Sequence, residues 1–234
     1  MRWTGTLATL GGLAAPAAAR AQAPLDIPAI VRRAADAVVT LNVYDAEGHR
    51  MTLGSGFFLP DGRIVTNLHV VRGGARVEVT GAGGQLLGSI PFAEALSEEA
   101  DLAVLPRLAG TARRLAVAAA RPQVGESVVV IGAPEGLSNT VSNGIVSAFR
   151  VVDGRPRMQI SAPISPGSSG GPVLNARGQV VGVSLSILQQ GQNLNFAVPL
   201  DDLRAMLASP VGQAAFPGAG PARVAKAAAP PRGD

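Results

Sequence analysis

The 234-residue chain has no cysteine. A disulfide framework and a cysteine-ligated zinc site are therefore excluded. Histidine occurs twice, at His49 and His69, too few for a multi-histidine metal centre. Neither a metal nor a cofactor is expected. Aromatic residues make up only 3%, so a core must be built from Val, Leu, Ile and Ala. Charged residues are sparse at 15%, and the formal net charge of +4 is carried almost wholly by arginine. The arginines are scattered and have few aromatics among them on which bases could stack. This is the pattern of a solvated surface, not of a nucleic-acid groove. Beyond the first 23 residues no apolar run is long enough to span a membrane.

What the chain does have is apolar residues (47%), 29 glycines and 18 prolines. From Ala37 onward, short β-like runs alternate with turn residues. They are AVVTLNVY (37–44), GSGFFL (54–59), RIVT (63–66), ARVEVT (75–80), QLLGSI (85–90) and DLAVL (101–105) in one group. A second group holds SVVVIG (127–132), TVSNGIVSAF (140–149), RMQI (157–160), GQVVGVSLSI (178–187) and NFAVP (195–199). Many short strands with frequent turns predict an all-β fold of sandwich or barrel type. PLDDLRAMLA (199–208) reads as one closing helix, with proline and two aspartates at its start.

The N-terminus differs from the rest. Arg2 precedes the charge-free stretch WTGTLATLGGLAAPAAA, and RAQA follows. A basic start, an apolar stretch and small-x-small sites predict a secretory signal over 1–21, cut after Ala21. The mature protein would then be secreted or periplasmic, with no stable membrane insertion. The alternative is an uncleaved anchor in the inner membrane. Residues 22–36 form an N-terminal extension, 37–112 and 124–209 two β units, and 113–123 a linker. The tail 210–234 is rich in Ala, Gly and Pro, has no periodic apolar face, and is expected to be disordered.

One stretch stands out: ISPGSSGGPVLN, residues 164–175. Serine and glycine here fit a polar turn. They also fit a nucleophile on a tight loop whose N–H groups converge on a reacting oxygen. The second reading needs a base and an orienting acid. His69, in RIVTNLHVV just after a strand, is the candidate base; His49, in DAEGHR, is an exposed turn histidine. Asp101 leads directly into the apolar run LAVL, a costly place for a carboxylate unless it is paired. Ser169 completes the set. Taken alone, His69 also fits a partly buried histidine bonded to backbone.

His69, Asp101 and Ser169 stand in the chain order of chymotrypsin-type triads. TNLHV, ADLAVL, GSSGGPVLN and NFAVP, in that order, resemble motifs of the HtrA (Do-like) branch of trypsin-like serine proteases. The resemblance covers residues 28–208. It implies two six-stranded antiparallel β-barrels with a short C-terminal helix, and a serine endopeptidase acting on polypeptides through an acyl-enzyme. It implies an oxyanion hole at Gly167, Ser168 and Ser169. It puts Ser184, Leu185 and Ser186 beside an extended substrate, with Ser184 near Asp101. Ile164, Val183 and Leu194 would line a small apolar pocket that selects aliphatic residues before the cut. Ser168 stands where digestive relatives carry an acid, so activation by an inserted N-terminus is not expected. About 25 residues follow the closing helix, too few for the PDZ domain usual in HtrA proteins. The competing readings are an inactive peptide-binding or chaperone-like protein on the same fold, and a structural envelope protein.

Overall fold

A computed structural model describes residues 25–108, 113–133, 140–185, 194–209 and 212–217. The expected signal segment and Ser186 lie outside the described residues. The chain opens with α1 (Ile27–Ala34) and a single 3-10 turn (Ala35–Ala37). Asp26 caps α1 by accepting the Ala29 N–H at 2.9 Å, and a proline sits in the first turn, where its missing N–H costs nothing. Ile30 and Ala34 are buried, so the expected extension is part of the core.

The first β unit holds β1 (Val38–Tyr44), β2 (Arg50–Phe58), β3 (Ile64–Thr66), α2 (Leu68–Val71), β4 (Arg76–Thr80), β5 (Leu86–Ile90), β6 (Ala95–Ser97) and β7 (Leu102–Leu105). Its strands form one sheet in the order β5-β4-β1-β2-β3-β7-β6. The sheet has seven strands and stays open between β5 and β6, unlike the closed six-stranded barrel expected. The second unit holds β8 (Ser127–Gly132), β9 (Thr140–Val152), β10 (Arg155–Ile160), β11 (Pro172–Leu174), β12 (Val180–Leu185) and β13 (Asn195–Pro199), followed by α3 (Leu200–Ala208). These six strands close into the expected barrel, in the order β10-β13-β12-β11-β8-β9.

Alternation along the strands divides the apolar residues into three cores. In β8, Val128 and Val130 face the barrel interior, and Val129 and Ile131 face the other unit. In β7, Ala103 and Leu105 face the first sheet's interior, and Leu102 and Val104 meet the second unit. The shared core joins α1, the first sheet, the barrel and α3 through residues such as Ile30, Phe57, Leu102, Ile131, Val183 and Leu203. The segment 113–123 takes part as well. Leu115 N–H donates to Phe58 O at 2.9 Å, and Val180 exchanges bonds with Ala116 and Ala118 at 2.9 Å each.

Residues 212–217 also depart from the disorder expected of the tail. Ala214 pairs with Ala93, and Phe216 is buried in the first sheet's core.

Candidate active site

His69 is the second residue of α2, a single turn entered from β3 through Asn67. Leu68, Val70 and Val71 are its buried face. Asp101 directly precedes β7 and has a left-handed backbone, φ +60°. Aspartate and asparagine tolerate that region better than most residues. The Asp101 carbonyl accepts from Leu68 N–H at 3.2 Å and from Asn67 Nδ2 at 3.0 Å. Its Oδ1 accepts the His69 N–H at 2.9 Å, and its Oδ2 lies 2.7 Å from His69 Nδ1. An ionised carboxylate only accepts. Nδ1 therefore carries the proton of a neutral ring, and Nε2 presents its lone pair. The imidazole is 43% exposed and the carboxylate side chain 14%: the base can be reached while the acid is shielded.

Ser169 lies in the loop between β10 and β11, 6% exposed. Two left-handed glycines, Gly167 and Gly170, each with φ +88°, bracket Ser168 and Ser169. Two turns follow one another there: Ser168 N–H donates to Ser165 O and Gly171 N–H to Ser168 O, both at 3.0 Å. Ser168 O also accepts the Ser184 hydroxyl at 2.6 Å. Because a trans peptide points its N–H opposite its C=O, the Ser169 N–H is turned away from that buried contact. The Gly167 N–H has no backbone acceptor among the described residues. Backbone N–H groups of a tight loop are the kind of donor an oxyanion requires.

Glycine-thin contacts bring the histidine turn and the serine loop together. A Cβ on Gly170 would stand 2.1 Å from Ser55 O, 2.3 Å from Thr66 Oγ1 and 3.2 Å from Asn67 N, two residues before His69. A Cβ on Gly54 would stand 2.5 Å from Val70 Cγ1, next to His69, and 3.3 Å from Ser169 O. Ser55 ties the loop down. Its N–H donates to Ser169 O at 2.8 Å, and its hydroxyl donates to Gly167 O at 2.7 Å and accepts the Ala133 N–H at 2.9 Å. Sequence reasoning missed Ser55. The one available signal was GSG, which reads as a strand with two bare positions.

The residues expected to bind substrate divide differently. Val183 is fully buried in the shared core, Ile164 packs on the barrel's interior core, and Leu194 is 36% exposed. The three do not share one cluster. Leu185 is 2% exposed in β12. Ser184 is not bonded to Asp101: its hydroxyl serves Ser168 O and Gly171 O, the latter at 3.1 Å. Its backbone N–H and C=O are taken by Gly171 O and Gly170 N. His49 is a hairpin-tip residue, its Nδ1 3.2 Å from Asp45 Oδ2. Among the described residues no group of three or more His, Cys, Asp or Glu side chains could hold a metal ion.

A family model, the trypsin-like peptidase domain, matches residues 54–183. HhoB of Synechocystis sp., named as a serine protease, is 41% identical over 162 residues, covering 63% of this chain and 37% of that protein. A Halomonas elongata protein named as a DegP-like periplasmic serine endoprotease is 36% identical over 173 residues, covering 67% and 35%. The crystal structure of a serine endoprotease from Yersinia pestis superposes with a TM-score of 0.68 at 29% identity, over 80% of this chain and 66% of that one. The chain thus spans little more than a third of the length of the two sequence relatives. The family model matches more than half of the chain, and the chain belongs to the family of trypsin-like peptidase domains.

Proposed function

We propose that this chain is a periplasmic serine endopeptidase that cleaves polypeptides through an acyl-enzyme. The observation that carries the reading is the pair of hydrogen bonds that the Asp101 carboxylate accepts from His69, one from the ring Nδ1 and one from the backbone N–H. A carboxylate held this way fixes the ring's tautomer and orientation and stabilises the imidazolium.

In this reading Ser169 Oγ attacks the scissile carbonyl carbon as His69 Nε2 takes its proton. The carbonyl π-pair moves to oxygen, and the oxyanion accepts from the N–H groups of Gly167 and Ser169. Ser168 contributes by having its carbonyl anchored. The tetrahedral intermediate collapses, the C–N bond breaks, and His69 returns the proton to the leaving amine. Water then attacks the acyl-enzyme with the same proton relay and releases Ser169. Removing one hole donor typically costs about 3–4 kcal/mol of transition-state stabilisation.

A preference for small or aliphatic residues before the cut is supported by the chemistry of the loop. No charged residue occurs between Ile160 and Leu174, so nothing there would pair with a lysine or arginine. The periplasmic location is supported by the DegP-like relatives that carry that word in their names and by the charge-free leader.

The test uses the full chain and its Ser169→Ala variant. Wild type should hydrolyse casein, and a fluorophosphonate should label Ser169 as read by mass spectrometry. Ser169→Ala should do neither. A folded wild type that binds unfolded polypeptide but neither cleaves it nor takes the label overturns the reading.

A further inference from the structure

The segment 212–217 leaves the end of α3 and returns to the first sheet at the open seam between β5 and β6. Gly212 N–H donates to Glu94 O at 2.9 Å, and Ala93 and Ala214 exchange both backbone bonds, at 2.9 and 2.8 Å. Gly73 N–H then donates to Pro217 O at 2.6 Å. Gly73 lies two residues past α2. Between these attachments Phe216 is 2% exposed and joins the cluster that holds Leu68, Val70 and Val71. Those three residues are the whole buried face of α2, and its remaining residue is His69.

An α-helix of one turn has almost no stability of its own, because nucleation is costly and nothing propagates it. The position of α2 is therefore set by what it packs against. Its N-terminal side is held by the bonds of Asn67 and Leu68 to Asp101. Past its C-terminal end the Gly73 N–H donates to Pro217 O, and its buried face lies in the same core cluster as Phe216. Only Phe58 and Phe216 supply aromatic bulk to this cluster.

We propose that 212–217 is a strap that sets the position of His69, with Phe216 as its positioning residue. This rests on the reading of His69 as general base. The strap joins the end of the second unit to the histidine turn of the first, so it couples the packing of the two units to the base. Displacing the strap shifts the imidazole relative to Ser169 without touching any reacting atom. Misplacement of a catalytic group by about 1 Å can cost on the order of 100-fold in rate.

Three variants test this: Phe216→Ala, Phe216→Leu and a chain ending at Ser209. Two readouts are used, kcat and KM on a short apolar peptide, and amide hydrogen exchange by mass spectrometry. Phe216→Ala should lower kcat about tenfold or more with KM little changed, as expected for lost positioning. Phe216→Leu should restore most of it. Exchange should rise in the peptide spanning 68–73 and stay at the wild-type level in β8–β12. The truncated chain should reproduce Phe216→Ala; if it unfolds, Phe216→Ala decides alone, since it keeps the strap's backbone pairing. Unchanged kcat, unchanged exchange at 68–73, or a rise spread evenly over both units each overturns the strap. A wild type without activity overturns the function reading instead, and the exchange data still decide the strap.

Discussion

The Ser55 hydroxyl donates to the Gly167 carbonyl at 2.7 Å, and its own backbone N–H donates to the Ser169 carbonyl at 2.8 Å. One residue of β2 thus holds the serine loop on both sides of Ser168. Its oxygen also accepts the Ala133 N–H at the end of β8, and Ser55 is fully buried. Replacing it with alanine keeps the backbone bond and removes both side-chain bonds. A part-buried carbonyl and a buried N–H lose these partners, and a buried group left unmet costs about 1–3 kcal/mol. The Gly167 carbonyl would then be free to turn, and the loop's N–H groups would lose their shared direction.

Ser55→Ala should therefore lower the melting temperature and reduce kcat more than it raises KM. Peptide kinetics together with a thermal melt check this. A variant with wild-type kcat and a lowered melting temperature would confine Ser55 to a structural role.

The site's chemistry was legible because it is carried by residues whose placement is unusual. Asp101 opens an apolar strand, His69 follows one, and Ser169 sits among glycines. Asp101 is costly where it stands unless it is paired, and His69 pairs it. The barrel was legible through strand alternation. The strap was not, because Phe216 stands alone among Ala, Gly and Pro, and a single anchor has no period. α1 was read as an extension because eight residues carry little pattern, although Ile30 and Ala34 are buried. The bonds Ser184 makes were not legible because its neighbours in sequence said nothing of register. Its partners, Gly170 and Gly171, come from the loop across the strand.

The pH dependence of stability should carry a signature of Asp202 on α3. Burial raises its carboxyl above the ordinary value, and Arg157, itself 4% exposed, pulls it partly back. The Asp202 Oδ2 is buried without a hydrogen-bond partner. A carboxyl raised on folding contributes stability that is fully present below its unfolded value, about 3.9. That contribution is lost as the pH rises through the folded value. At pH 7 the charged form is therefore a liability. Asp202→Asn should melt higher than wild type at pH 7, and the difference should shrink as the pH falls through the raised folded value and level off below about 4. Thermal melts across that range check it, and a gain that persists unchanged at low pH would exclude the carboxyl's charge as the cause.

Basal activity should need no effector. The loop is pinned at Gly167 and Ser169 by Ser55 and at Ser168 by Ser184. Its approach is tied to β9, where Ser142 donates to Pro163 O at 2.6 Å and the Ser161 hydroxyl accepts the Ile145 N–H at 2.9 Å. Pro163 and Pro166 further reduce the freedom the loop loses when it is ordered. All of these bonds lie within the one chain, which predicts a loop ordered before a peptide arrives. Progress curves on a short apolar peptide should be linear from the first measurement, and simple saturation should describe the rates. Relaxing the approach with Ser142→Ala should introduce a lag or lower kcat. A wild-type lag, or a sigmoidal rate curve that an added peptide makes hyperbolic, would show that the loop is ordered only on binding.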